Sequence, residues 1–170
     1  MMDLVNFLVN TVMWMLTIRI STFLHELGHC LAVLAFTKEN VKVVLGYGRM
    51  NASFTVRRLH VRFKGFMPWI GFMNVEEGVT LTKTLSLLLS LGGPLVSLII
   101  GTSAFLFRSH TDISWFYSIL SVIALYNCYL FFCTAIPIVY PKWWIGYGGS
   151  PSDGYRILRL IISKENTLQH

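Results

Sequence analysis

LVNFLVNTVMWMLTIRISTFLHELGHCLAVLAF, residues 4–36, is the stretch on which the fold turns. As one straight helix it would be about 50 Å long, well beyond a hydrocarbon core of about 30 Å. It must therefore tilt, bend or emerge at one end. Its only charged or imidazole-bearing positions are Arg19 and the motif His25-Glu26-Leu27-Gly28-His29. On a helix, residues four apart share a face, so the two imidazoles can reach one metal ion together. Zinc suits them, because it takes neutral imidazole nitrogens at about 2.0–2.1 Å. Glu26 lies one step round and can touch a water at the metal without being a ligand. That is the arrangement of a zinc hydrolase with a general base. The alternative is a chance cluster of polar residues on a buried helix. Ionisable groups at membrane depth are costly and so usually functional, which favours the chemistry.

Working outward, the composition agrees with the first helix. Of 170 residues, 54% are hydrophobic and 13% charged, with mean hydropathy +0.60; a soluble domain carries about 25% charged residues. The expected fold is an α-helical integral membrane protein forming one domain over residues 1–170. It has about three transmembrane spans (4–36, 85–107 and 113–136). A small membrane-associated β-region covers 41–74, and a loop and C-terminal half-helix cover 146–163. The half-helix is the short apolar stretch from Tyr155 to Ser163, with Arg156 and Arg159. Met1-Met2-Asp3 offers no basic residue ahead of the apolar run, and no small-residue cleavage site follows, so the first span reads as retained.

The net charge is +6, but the basic residues sit beside the spans. This implies membrane orientation and lipid head-group contact rather than a nucleic-acid partner. No Lys or Arg precedes the first span. Between Thr37 and Thr84 lie Lys38, Lys42, Arg49, Arg57, Arg58, Arg62, Lys64 and Lys83. Arg108 alone flanks the loop around Ser109–Asp112, and Lys142, Arg156, Arg159 and Lys164 follow. The positive-inside rule then places the N-terminus outside the cell membrane and both basic regions in the cytoplasm. The motif lies about 10 Å from the cytoplasmic end of its helix.

Between the first two spans the pattern turns β-like. Val41–Leu45 is β-branched and apolar, Gly46-Tyr47-Gly48 breaks it, and residues 54–64 tend to alternate, most clearly in Leu59-His60-Val61-Arg62-Phe63-Lys64. Two readings stay open: a sheet resting on the head groups, or a sheet edge that pairs with an extended substrate segment. Catalytic zinc usually has three protein ligands and an open position. His60 and His110 are far from the motif in this topology. Asp153, in Gly148-Gly149-Ser150-Pro151-Ser152-Asp153-Gly154, is the best third ligand. Its alternative role is a helix N-cap, for which Ser152 or Asp153 is suited. Cys30, Cys128 and Cys133 fall within spans and read as buried apolar thiols rather than ligands or disulfides. Trp143, Trp144 and Tyr147, with Tyr47, Trp69 and Phe72, read as interfacial aromatic belts.

These residues together resemble the site-2 proteases, zinc metalloproteases that cut within membranes. His25-Glu26-Leu27-Gly28-His29 is similar to the family's metal motif. Gly92-Gly93-Pro94-Leu95-Val96-Ser97 is similar to the glycine-proline motif of its second core helix. Pro151-Ser152-Asp153-Gly154 is similar to the signature that supplies its third ligand. The resemblance covers nearly the whole chain. It implies one zinc ion per chain held by His25, His29 and Asp153, with Glu26 as the catalytic base. It also implies a transmembrane protein or membrane-bound peptide as substrate, cut in or near its membrane segment. Gly28 would permit close helix approach. The chain departs from the family pattern at three places. Ser97 stands where asparagine is common, and Ser152 where leucine is usual. Thr134-Ala135-Ile136-Pro137 lacks the asparagine that often precedes the aspartate, and a long loop separates it from Asp153; Asn127 lies about two turns upstream. The rival expectation is a catalytically inactive membrane zinc-binding or immunity-type protein. A closed site would mark it, and an unliganded Glu26 argues against it. A secreted zinc peptidase is disfavoured by the hydropathy of the motif helix.

Overall fold

The computed structural model describes residues 4–76 and 80–163; Met1-Met2-Asp3 and Lys164 lie outside them. The first apolar run forms one unbroken helix, α1 (Leu4–Phe36). Its two halves differ. Up to Ile20 its large apolar side chains are largely exposed, Leu4, Phe7 and Trp14 among them. Burial begins at Ser21 and takes in Thr22, His25, Glu26, Gly28 and His29. Polar and small residues thus face inward and apolar ones outward, the reverse of a soluble helix. Helices α2 (Lys83–Arg108) and α3 (Ser114–Ala135) follow, within two residues of their expected bounds. All three are long and apolar enough to cross a membrane. They are compatible with a membrane protein whose fourth helix, α4 (Asp153–Ile162), is too short to span.

The helices approach closely because glycine leaves room. A Cβ on Gly28 would lie 2.8 Å from the Gly92 carbonyl carbon and 2.9 Å from Val96. This is the small-residue contact that lets two apolar helices pack on their backbones. Asn127, on α3, donates to Ser21 Oγ at 2.9 Å and to the Ile123 carbonyl at 2.9 Å. It ties α3 to α1 and takes no place among the cavity residues described below.

The β-region is a four-stranded mixed sheet of order β2-β3-β1-β4. The strands are β1 (Val41–Leu45), β2 (Ala52–Val56), β3 (Leu59–Phe63) and β4 (Gly71–Val75). Strand β1 runs parallel to β3 and antiparallel to β4. Its alternate residues Val41, Val43 and Leu45 are buried, as a pleat demands. With Val61 they pack on Cys30 and Val33 of α1. The sheet is therefore braced against the second half of α1. Arg19 donates to the carbonyls of Gly65 and Met67, and Arg58 donates to those of Leu34 and Thr37 at the end of α1.

After α3 the chain does not wander. Residues 138–152 fold as a hairpin-like loop closed by Tyr140 N–H to Ser150 O at 3.0 Å and Ser152 N–H to Ile138 O at 2.9 Å. The end of α3 and the start of α4 are thereby brought side by side, so the long loop of the sequence leaves no gap in space. Gly154 packs against the Ala135 carbonyl with no room for a Cβ.

Candidate metal centre

His25 and His29 sit one turn apart on α1, and the first residue of α4, Asp153, meets them. The Nε2 atoms of the two histidines are 3.3 Å apart. Asp153 Oδ2 lies 3.3 Å from His29 Nε2 and 3.7 Å from His25 Nε2. Tetrahedral coordination with bonds of about 2.0–2.1 Å sets donor atoms about 3.3 Å apart. The three atoms are therefore spaced as ligands of one small ion. Among the described residues these are the only three such side chains that converge in this way, and they could hold a metal ion.

The orientation of both imidazoles is set from α2. His29 Nδ1 is 2.7 Å from the Leu89 carbonyl. A carbonyl only accepts, so Nδ1 carries a proton and donates it there, which leaves Nε2 to face His25 and Asp153. His25 Nδ1 is 2.8 Å from Ser97 Oγ, and Ser97 is fully buried. Partners of this kind fix ring angle and tautomer in metal sites. Gly93, between them, lies so close to His25 and His29 Nε2 that a Cβ would overlap both rings.

Ser152, not Asp153, caps α4. Its Oγ accepts from Tyr155 N–H at 3.1 Å and Ile138 N–H at 3.1 Å and donates to Ile136 O at 2.7 Å. The Asp153 carboxylate is thus released from capping and turned toward the histidines, with 12% of its side chain exposed. Burial alone would raise its pKa. The hydrogen bonds and charges of His25 and His29 outweigh that and hold the carboxyl well below the usual range.

Glu26 is buried beside the centre and lines the same cavity of about 130 Å³. Strand β4 runs directly over it: a Cβ on Gly71 would lie 2.8 Å from Glu26 Cγ and 2.9 Å from Oε1. Because Gly46 N–H donates to Ile70 O, alternation along the β1–β4 ladder leaves the main-chain groups of Gly71 and Met73 pointing away from β1. They face the open edge of the sheet, on the cavity side. Tyr147 lies against this edge. Its hydroxyl accepts from Gly71 N–H at 2.9 Å and sits 3.0 Å from Gly71 O and 3.3 Å from Trp69 O, either of which can accept its proton. Burial pushes the phenol pKa up, and the nearby Glu26 charge pushes it further, so the hydroxyl keeps its proton.

The structure thus brings His25, His29 and Asp153 together and sets Glu26 next to them. His60 bonds Thr55 on the sheet and His110 bonds the Leu106 carbonyl at the far end of α2. Trp69, Phe72, Trp144 and Tyr147 line the cavity, and Trp143 is 79% exposed. One expectation is corrected. Of the cysteines only Cys30 is buried; Cys128 is exposed and Cys133 half-buried, and all three are free thiols. Cys128 lies on the exposed face of α3, beside Leu125 and Tyr129. Sequence reasoning missed Ser97, Leu89 and Gly93 as the wall behind the histidines. Their four-residue spacing was the available signal. No family model, curated protein or solved structure matches the chain.

Proposed function

We propose that this protein is a zinc-dependent endopeptidase of the membrane, cutting a transmembrane protein or membrane-bound peptide in or near its apolar segment. The observation that carries the proposal is the convergence of two oriented imidazoles and one carboxylate beside an unliganded Glu26. Three ligands leave a tetrahedral ion one open position, as hydrolytic sites require and closed structural sites do not. Bound zinc would acidify water and polarise the scissile carbonyl. Glu26, within the same cavity, takes the proton of the attacking water and returns it to the leaving amine. Ser97 and the Leu89 carbonyl hold the imidazoles in place. The open edge of β4 pairs with an unwound substrate segment, which exposes a peptide bond that a helix would shield. Zinc is the natural occupant of two neutral imidazoles and a carboxylate in a four-coordinate site.

The setting is a bilayer, with the basic β-region and the loop before α4 on the cytoplasmic side and the centre near that face. The test is Glu26→Gln in the full chain, purified in detergent and loaded with zinc. Zinc content should stay at about one ion per chain, with cleavage of a membrane-peptide substrate lost. Cleavage within a few-fold of the unaltered protein would remove Glu26 from the mechanism. Activity in a metal-free preparation would overturn the proposal.

A further inference from the structure

We propose that Tyr147 is a latch on the substrate edge, a hydroxyl standing where the main chain of an added strand would go. The inference rests on reading β4 as the strand that receives substrate. An antiparallel partner forms a pair of hydrogen bonds with each outward-facing residue of an edge. At Gly71, the edge residue in contact with Glu26, both main-chain groups are already engaged by the Tyr147 hydroxyl, at 2.9 Å to N and 3.0 Å to O. At Met73, the next outward-facing residue, no partner for N–H or C=O is found among the described residues. The edge is therefore open at one pair and covered at the pair nearest the general base.

The cover is built to lift. Tyr147 sits at the tip of the loop, between Gly146 and Gly149, both in the left-handed region at φ 87° and 82°. The bonds that close the loop lie at its base, between 138–140 and 149–152, and the main chain of Tyr147 is tied within the tip, to Trp144 O at 3.2 Å and from Ser150 N–H at 2.9 Å, so that the side chain is the part free to swing. Its ring rests on Phe72 and Tyr140, 5.0 and 5.6 Å between centroids, contacts between side chains on which the loop's main-chain bonds do not depend. A strand that reaches Glu26 must displace the hydroxyl. Entry is thereby reserved for segments able to pair through their own main chain, and the centre is shielded when none is bound.

The test uses the full chain in detergent, zinc-loaded, with Glu26→Gln to hold any bound peptide uncut. The probe is a short valine–threonine peptide carrying one benzophenone. The same peptide N-methylated at every amide has no N–H to offer an edge on either side and serves as the control. Tyr147→Phe keeps the ring and removes both hydrogen bonds. Amide exchange at Gly71 should speed up with exchange in α2 unchanged, and photo-capture of the unmethylated probe should rise by roughly 5- to 30-fold. The methylated probe should gain nothing. Tyr147→Leu should behave alike, a second variant in case one fails to fold. Unchanged or reduced capture in a folded variant overturns the latch, as does an equal gain for both probes. If capture rises but the chain with Glu26 intact cleaves nothing, the latch stands and the protease reading fails. If cleavage is normal and capture unmoved, the reverse holds.

Discussion

Removing the hydroxyl of Ser97 should weaken zinc binding by about 10- to 100-fold while leaving the metal-free fold nearly intact. His25 Nδ1 lies 2.8 Å from Ser97 Oγ, and both residues are buried. When zinc holds Nε2, the imidazole proton must be on Nδ1 and must donate to something. In Ser97→Ala it donates to nothing, and an unpaired buried donor costs about 1–3 kcal/mol. At 1.4 kcal/mol per tenfold, that cost corresponds to roughly 5- to 150-fold in affinity, which brackets the range seen for outer partners of metal ligands. The metal-free state escapes the cost, because His25 can shift its proton to Nε2, where His29 Nε2 at 3.3 Å can accept it. The loss therefore falls on binding rather than on stability. Competition with a chromogenic zinc chelator measures it, with melting curves taken with and without metal. Ser97→Thr, which keeps the hydroxyl, should bind nearly as the unaltered chain does. In a His25→Ala background Ser97→Ala should add no further loss. An unchanged zinc dissociation constant for Ser97→Ala would refute the claim that α2 orients His25.

Three further outcomes are expected. Asp153→Asn should strip the zinc yet leave α4 formed, because the cap is Ser152 and an amide is a poor substitute for a carboxylate ligand; metal analysis with circular dichroism checks this, and full occupancy would return the third ligand to the unknown. Ser152→Ala should destabilise the chain by about 1–3 kcal/mol, since three part-buried main-chain partners lose their bonds to a buried hydroxyl at once; a shift in denaturation midpoint measures it, and a neutral result would mean that the junction of α3 and α4 is held elsewhere. Cysteines placed at the exposed Ser53 and Ser109 should label from opposite sides of the membrane, Ser53 from the cytoplasm; labelling of both from one side would break the three-span topology.

Much of this was legible because two periodicities are strong. Hydropathy alone places α1, α2 and α3 within two residues, since apolar runs in this chain end where polar loop residues begin. The His25–His29 spacing is itself a statement about one helix face. Asp153 was legible only as one of two roles. The choice between ligand and cap depends on which residue's side chain turns back on the helix, and adjacent Ser152 and Asp153 are both competent. The loop before α4 was illegible for a different reason. Its aromatics sit among Gly146, Gly148 and Gly149, where no period relates one side chain to the next, so Tyr147 looked like any interfacial tyrosine. What brings it inward is a long-range contact with Gly71, across 76 positions of chain, and no local pattern encodes such a contact.

The centre is best understood as two ladders of four-residue steps laid antiparallel. On α1 the rungs are His25 and His29. On α2 they are Leu89, Gly93 and Ser97, also four apart and so on one face. His29 meets Leu89, His25 meets Ser97, and Gly93 between them leaves the space into which both Nε2 atoms point. Gly28 against Gly92, one residue off each ladder, draws the two axes close enough for a 2.7 Å bond from a ring nitrogen to a backbone carbonyl. The carbonyl on one rung is main chain and cannot be changed by substitution, whereas Ser97 is a side chain and can. The two histidines are thus secured by unequal means. His29 is held for as long as α2 is a helix in this register. His25 depends on one hydroxyl, that of Ser97.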